Sequence, residues 1–214
     1  MSCCSSPNIE GTNSCFSAMG KKHLKRFEKK GFEASQKNLF DGIINQNIKG
    51  LEVLEIGCGS GYFHQQLISN GAIYVTGVDI AQGMIDVAQG YSKSLNRESQ
   101  TEYILGDFLE VEESIKKHDI MILDKVFCCY VDANNLLKIA EAHTKKIFAF
   151  TLPRNKWYIR NVVKFSIKFL KFIRSKFHPY FHDPQELIYY LESKGWKQQI
   201  NKQTFVWQSL VFVK

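Results

Sequence analysis

Between residues 51 and 151 short apolar runs alternate with segments of helical period. The runs at 51–56, 73–79, 102–105, 119–124 and 145–151 have the length and β-branched content of strands. The segments at about 61–69, 81–95 and 133–142 space their apolar residues as amphipathic helices do. This alternation predicts a parallel sheet covered by helices on both faces. Ahead of it, 33–47 predicts a helix with Leu39, Phe40, Ile43 and Ile44 in one stripe, capped by Ser35 or the adjacent loop. Behind it, a basic amphipathic helix is expected over about 155–176, then a loop from His178 to Pro184 and a helix over 184–194. Strands at 196–202 and 204–213 close the chain as an antiparallel pair at the sheet edge.

The chain of 214 residues suits one domain, and 44% apolar with 23% charged residues is the composition of a packed globular protein. Residues 1–32 are expected to be a basic, cysteine-containing arm and 33–214 the folded domain, with 152–184 as its substrate-side element. A basic start followed by an apolar run is missing from the first residues, and no stretch reaches about 18 uninterrupted apolar residues, so a cytoplasmic protein with free thiols is expected. No Cys-x-x-Cys pair occurs, and no metal site is expected; a thiol cluster of Cys3, Cys4, Cys15, Cys128 and Cys129 would need the arm to fold back. Charge is uneven: +4 over residues 1–50, −6 over 51–150 and +9 over 151–214. An acidic substrate, an anionic membrane or nucleic acid would each suit the basic ends.

The chemistry concentrates after the first strand, in Gly57-Cys58-Gly59-Ser60-Gly61. Glycines at a strand-to-helix turn let the backbone approach a ligand beyond the carboxyl end of the sheet. Glu55 ends an otherwise apolar strand, where a carboxylate needs a partner such as an ammonium group or loop amides. Asp79 ends the second strand, ahead of Ile80 and Met84, and suits the hydroxyls of a ribose; the alternative is a cap for the following helix. Asp107 follows the third strand, placed to meet an adenine amino group while Phe108 shields the ring; the alternative is an ordinary Gly-Asp turn. Together these residues fit one nucleoside ligand. A dinucleotide fingerprint requires Gly-x-Gly-x-x-Gly, and Tyr62 stands where its third glycine belongs.

From Val53 to Asp124 the chain resembles the class I S-adenosylmethionine (SAM)-dependent methyltransferases. That resemblance implies an α/β, Rossmann-like, seven-stranded and mostly parallel sheet with an antiparallel C-terminal strand, and SAM as cofactor. Carried over by motif, Glu55, Gly57, Gly59 and Gly61 would surround the methionine portion, Asp79 the ribose, and Asp107 with Phe108 the adenine; Cys58, Ile80 and Met84 are further expected cofactor-binding residues. Asp124 would lie near the cofactor. The segments 123–132, 152–160 and 205–208 are similar to small methyltransferases related to magnesium-protoporphyrin O-methyltransferases.

Methyl transfer from a sulfonium depends mainly on alignment, and a hydroxyl acceptor gains from a general base. The segment after Asp124 lacks an Asn/Asp-Pro-Pro-Tyr pattern, which favours an oxygen or carboxylate acceptor, small and acidic or hydrophobic. Tyr130 and His182 are the candidate catalytic side chains; their structural alternatives are sheet-edge packing and the start of the helix at Pro184. Residues 156–176 carry basic and apolar faces suited to peripheral contact with an anionic membrane, or simply to a solvated helix. A nucleic-acid or protein methyltransferase docking through the basic termini is the alternative, although no recognition module or strong nucleic-acid signal is present. A non-catalytic SAM-binding module is the third class.

Overall fold

A computed structural model describes residues 13, 16–162, 165 and 179–214. Seven strands form one sheet: β1 Glu52–Ile56, β2 Tyr74–Asp79, β3 Thr101–Leu105, β4 His118–Asp124, β5 Thr144–Pro153, β6 Lys197–Gln203 and β7 Trp207–Val213. Their order is β3-β2-β1-β4-β5-β7-β6. Pairing is parallel from β3 through β5, and β7 runs against both of its neighbours. The mostly parallel Rossmann-like sheet with a reversed C-terminal strand is therefore what the alternation and the resemblance implied. Strand order reverses between β1 and β4, so the crevice beyond their carboxyl ends is where a ligand site is expected.

Both faces of the central strands are buried, which is why β1, β4 and the body of β5 are nearly continuous apolar runs, while the edge strand β6 is polar and exposed. On one face Leu54, Met121, Leu123, Phe148, Phe150 and Phe212 join Phe127 and Trp196. On the other, Val53, Ile120, Ile122, Ile147, Ala149 and Val211 pack against Leu39, Ile43, Phe63 and Leu67. Alternate residues of β1, β4 and β5 supply the two cores, as the pleat requires.

The described helices are α1 Gly20–Lys30, α2 Ala34–Ile44, α3 Tyr62–Ser69, α4 Gln82–Ser94, α5 Phe108–Val111, α6 Ala133–Ala142 and α7 Pro184–Ser193. The N-cap of α2 is Glu33 rather than Ser35: the Glu33 N–H donates to Gln36 Oε1 at 3.4 Å in a capping box. Asp132 and Asp183 cap α6 and α7, and Pro184 occupies the first turn of α7. The last strand begins at Trp207 rather than 204, because the Thr204 N–H donates to the Trp207 carbonyl and closes a tight turn. Of the helix expected over 155–176, the turns at 157–162 are seen; His178, Lys164, Lys168 and Lys171 lie outside the described residues.

The basic segment at 21–30 forms α1, which lies across the carboxyl end of the sheet. Phe27 stacks on Tyr62 with ring centroids 4.4 Å apart and also meets Phe32. Gly83 of α4 donates to Ser17 Oγ just before α1, at 3.3 Å.

Candidate cofactor and acceptor site

The loop after β1 folds back on β2: the N–H groups of Gly57 and Cys58 both donate to the Val78 carbonyl, at 2.7 and 3.1 Å. Gly57 has φ +66°, and a Cβ there would lie 2.6 Å from Val126 Cγ2. Gly59, at φ +53°, faces open space apart from Met84 Sδ at 4.0 Å. Gly61 serves packing instead. It begins α3 at φ +79°, and a Cβ there would crowd Ala88 and the His64 ring. Gly57, Cys58, Gly59 and Ser60 line a cavity of about 390 Å³, and Gly61 does not.

Asp79 ties this loop to the start of α4. Its Oδ2 accepts from Gly59 N–H and its Oδ1 from Ala81 N–H, both at 2.8 Å. An ionised carboxylate offers about four acceptor positions, so these bonds leave capacity toward the cavity that Asp79 lines. Burial raises its pKa, and the backbone donors pull the other way. Asp79 is not the cap of α4, whose N-cap is Ala81 with no side-chain cap bond; its carboxylate steadies the residue ahead of the helix instead.

Glu55 finds its partner within the protein. Its Oε2 lies 2.6 Å from His64 Nδ1, and His64 Nε2 lies 2.8 Å from the Tyr103 hydroxyl. The acid and the imidazole are both buried; burial raises the Glu55 pKa, against the pull of His64. Burial likewise pushes Tyr103 up to about 12. His64 fixes the outer edge of Glu55 while the carboxylate still borders the cavity.

Asp124, at the end of β4, accepts from Thr151 Oγ1 and from Gln36 Nε2, the latter at 2.7 Å. Gln36 also donates to the Tyr62 hydroxyl at 2.8 Å. Burial, more than any neighbour, pushes the Tyr62 hydroxyl up to about 12, so it remains protonated at neutral pH. Lys125 follows with φ +62°, its Nζ 2.6 Å from Glu33 Oε2 and 5.3 Å from the Trp207 ring centroid. Glu33 also pairs with Arg26 of α1 at 3.1 Å. Two cations thus share one carboxylate at the cavity wall.

Tyr130 lines the cavity and donates its hydroxyl proton to Asp107 Oδ1 at 2.6 Å. Burial and the Asp107 charge raise its pKa well above the ordinary phenol, so it is a donor and not a base. Asp107 is outside the cavity lining; it caps α5 through Leu109 N–H at 3.1 Å. Phe108 lines the cavity, as do Ile80 and Met84. His182 is outside it, with Nε2 2.9 Å from the Tyr130 carbonyl. The histidine that does line the cavity is His23 of α1. Burial and then the Arg26 charge lower its pKa, which keeps the ring neutral and able to accept a proton. Cys128 and Cys129 also border the space; the Cys128 thiol is pulled down by its hydrogen bond with Cys129, against burial. Cys3, Cys4 and Cys15 lie outside the described residues.

A methyltransferase domain family matches residues 47–195, spanning β1 through α7. The chain belongs to that family. The ubiquinone biosynthesis O-methyltransferase of Coxiella burnetii (strain Dugway 5J108-111) is 30% identical over 154 residues, covering 69% of this chain and 64% of that relative. The chain thus aligns with somewhat under two thirds of the relative's length. A malonyl-[acyl-carrier protein] O-methyltransferase of Acetivibrio thermocellus is 32% identical over 83 residues, 38% of this chain and 28% of that one. Among solved folds, magnesium protoporphyrin IX methyltransferase from Synechocystis PCC 6803, with bound SAM, superposes with a TM-score of 0.70 at 16% identity and full coverage of both chains.

The cavity of this methyltransferase-family chain suits SAM on the chemistry of its lining. Ser60 lines the cavity, and its Oγ is buried in the glycine loop with no hydrogen-bond partner among the described residues. Such an orphan is costly unless a ligand meets it. Gly59 leaves room beside it, and Asp79 retains acceptor capacity. The residues that sequence reasoning missed are His23, Arg26, Glu33, Gln36 and His64. The first two sit in a segment whose lysines mask its helical face; Gln36 and His64 are polar residues inside helices, with no local signal beyond their burial.

Proposed function

We propose that this protein is a SAM-dependent methyltransferase acting on an oxygen or carboxylate of a small-molecule acceptor. The observation that supports it most is that the glycine loop with Ser60, Asp79 and Asp124 wall one cavity, and that the buried Ser60 hydroxyl has no partner among the described residues. In this reading Gly57, Cys58, Gly59 and Ser60, with Glu55, hold the methionine portion. Asp79, Ile80 and Met84 hold the ribose, and Phe108 lies against the adenine. Asp107 acts one step back, by anchoring Tyr130. Gly61 sets the loop's exit. Bound SAM supplies a methyl on a sulfonium, with a neutral thioether as leaving group.

The chain's own task is alignment, which is worth several kcal/mol when the reacting atoms are held about 3 Å apart. Gln36 and Thr151 fix Asp124, while α1 and Trp207 roof the acceptor side. His23 takes the proton from a hydroxyl acceptor; a carboxylate acceptor needs no base. The acceptor is acidic or hydrophobic: Arg26 and Lys125 offer positive charge, while Phe16, Tyr62 and Trp207 offer apolar walls. A hydrophobic acceptor of this kind partitions into membranes, which suits the basic and apolar composition of the segment 156–176.

The test is transfer of label from methyl-labelled SAM to a panel of phenols and carboxylic acids, with RNA and lysate protein in parallel. Label in the small-molecule fraction is expected. Label confined to RNA or protein would replace this reading with the macromolecular one.

A further inference from the structure

Methyl transfer does not account for the aromatic side chains exposed beside the cavity mouth. Trp157 is 74% exposed and Phe205 76%. They are held together as one structure. The Arg154 N–H donates to the Val206 carbonyl at 2.9 Å, and Arg154 Nη1 to the Thr204 carbonyl at 2.8 Å. The Tyr158 hydroxyl donates to the Phe205 carbonyl at 3.3 Å, and the two rings stack at 5.2 Å. Trp157 sets its edge against Tyr158 at 5.9 Å. The result is a continuous Trp157–Tyr158–Phe205 ridge across the first helical turn after β5 and the β6–β7 turn, with Phe165 also 72% exposed. Two residues beyond Phe205, Trp207 lines the cavity.

The charge around this ridge is mainly positive, with Asp183, which accepts from Asn155 Nδ2 at 2.8 Å, as an acidic neighbour. Arg154, Lys156 and Arg160 flank it, and no acidic residue occurs from 154 to 182, a stretch with eight Lys/Arg. Protein interfaces are depleted in lysine, whereas Trp and Tyr with flanking Lys and Arg are what a bilayer interface favours. Basic residues close to an anionic leaflet add electrostatic attraction to it. Among the described residues no helix is long and apolar enough to cross a membrane, so the contact is peripheral. We propose that the Trp157–Tyr158–Phe205 ridge docks the protein on anionic membrane surfaces, with the cavity mouth turned toward the lipid.

The experiment is flotation of the full chain with vesicles of phosphatidylcholine alone and of phosphatidylcholine with an equal part of phosphatidylglycerol. Wild type should float with the anionic vesicles and stay behind with the neutral ones. High salt, about 1 M, should release it, since screening then acts within about 3 Å. The W157E/F205E variant should bind at least about tenfold more weakly, with its circular dichroism unchanged because both side chains are exposed. Trp emission should shift to the blue with anionic vesicles in wild type. Equal binding by the variant, or no binding by wild type, would overturn the proposal. A dimer that the variant dissolves, without vesicle binding, would assign the ridge to a protein contact and overturn it too. None of these readouts requires SAM, so a failed cofactor assay would leave them intact.

Discussion

Replacing Asp79 by Asn tests the cofactor site and the loop at once. The carboxylate accepts from Gly59 and Ala81, each at 2.8 Å. An amide keeps one acceptor oxygen and turns its other arm into a donor, which must then face one of those N–H groups. Leaving a buried donor unmatched costs about 1–3 kcal/mol. Because burial already opposes the Asp79 charge, removing that charge offsets part of the loss, and the lower half of the range is expected. For a chain of this size that is a fall in Tm of roughly 2–8 °C. Cofactor affinity should fall further, because ribose hydroxyls lose charge-assisted bonds worth about 1.5–3 kcal/mol, or about 10- to 150-fold in Kd. Calorimetry with S-adenosylhomocysteine and a thermal melt of the free protein separate the two. A lowered Tm with a Kd within about twofold of wild type would confine Asp79 to holding the loop and refute its role at the ribose.

Other substitutions probe the remaining parts. Gly57→Ala should destabilise by about 1–3 kcal/mol, since φ is +66° and the new methyl would meet Val126 at 2.6 Å; a wild-type denaturation midpoint would count against the loop geometry. His23→Ala should lower kcat by about 10²–10⁴-fold for a hydroxyl acceptor and remove the acidic limb of the pH–rate profile, whereas His182→Ala should leave that limb in place. If His182→Ala were the variant that removed it, the proton acceptor would be misassigned. Glu33 makes the melt pH-dependent. Burial opposes its charge, but the Lys125 hydrogen bond and the Lys125 and Arg26 charges outweigh it and lower its folded pKa. Its contribution is therefore present above the ordinary glutamate range and lost as pH falls through the folded value. Wild type should lose more Tm than Glu33→Gln on acidification below about pH 5; parallel curves would show that the ion pairs do not hold α1.

The central strands were legible because both of their faces are buried, so each announces itself as an apolar run bounded by polar turns, whereas the edge strand β6 is polar and exposed. The sheet's seven strands and reversed C-terminal strand followed from the resemblance, and the placement of Asp79 and the glycine loop from their positions at strand ends. What stayed hidden depends on contacts between distant residues. Glu55 reads as an acid awaiting a ligand, yet His64, nine positions on, occupies one of its oxygens. Tyr62 is legible as a departure from the dinucleotide fingerprint, but its stacking on Phe27 is not, because lysines surround Phe27 in the sequence. A linear reading picks out His182 as the base and passes over His23, which sits among lysines. The fold separates them by packing α1 over the cavity and turning His182 toward the Tyr130 carbonyl.

The central claim is that the cavity at the carboxyl ends of β1, β2 and β4 binds SAM. Isothermal calorimetry of the full chain with SAM and S-adenosylhomocysteine, and with NAD as control, tests it most directly. The account predicts one site for each of the first two ligands, weakened by Asp79→Asn, and no heat with NAD. A folded protein that binds neither sulfur ligand at about 1 mM, a free energy near −4 kcal/mol, would contradict it.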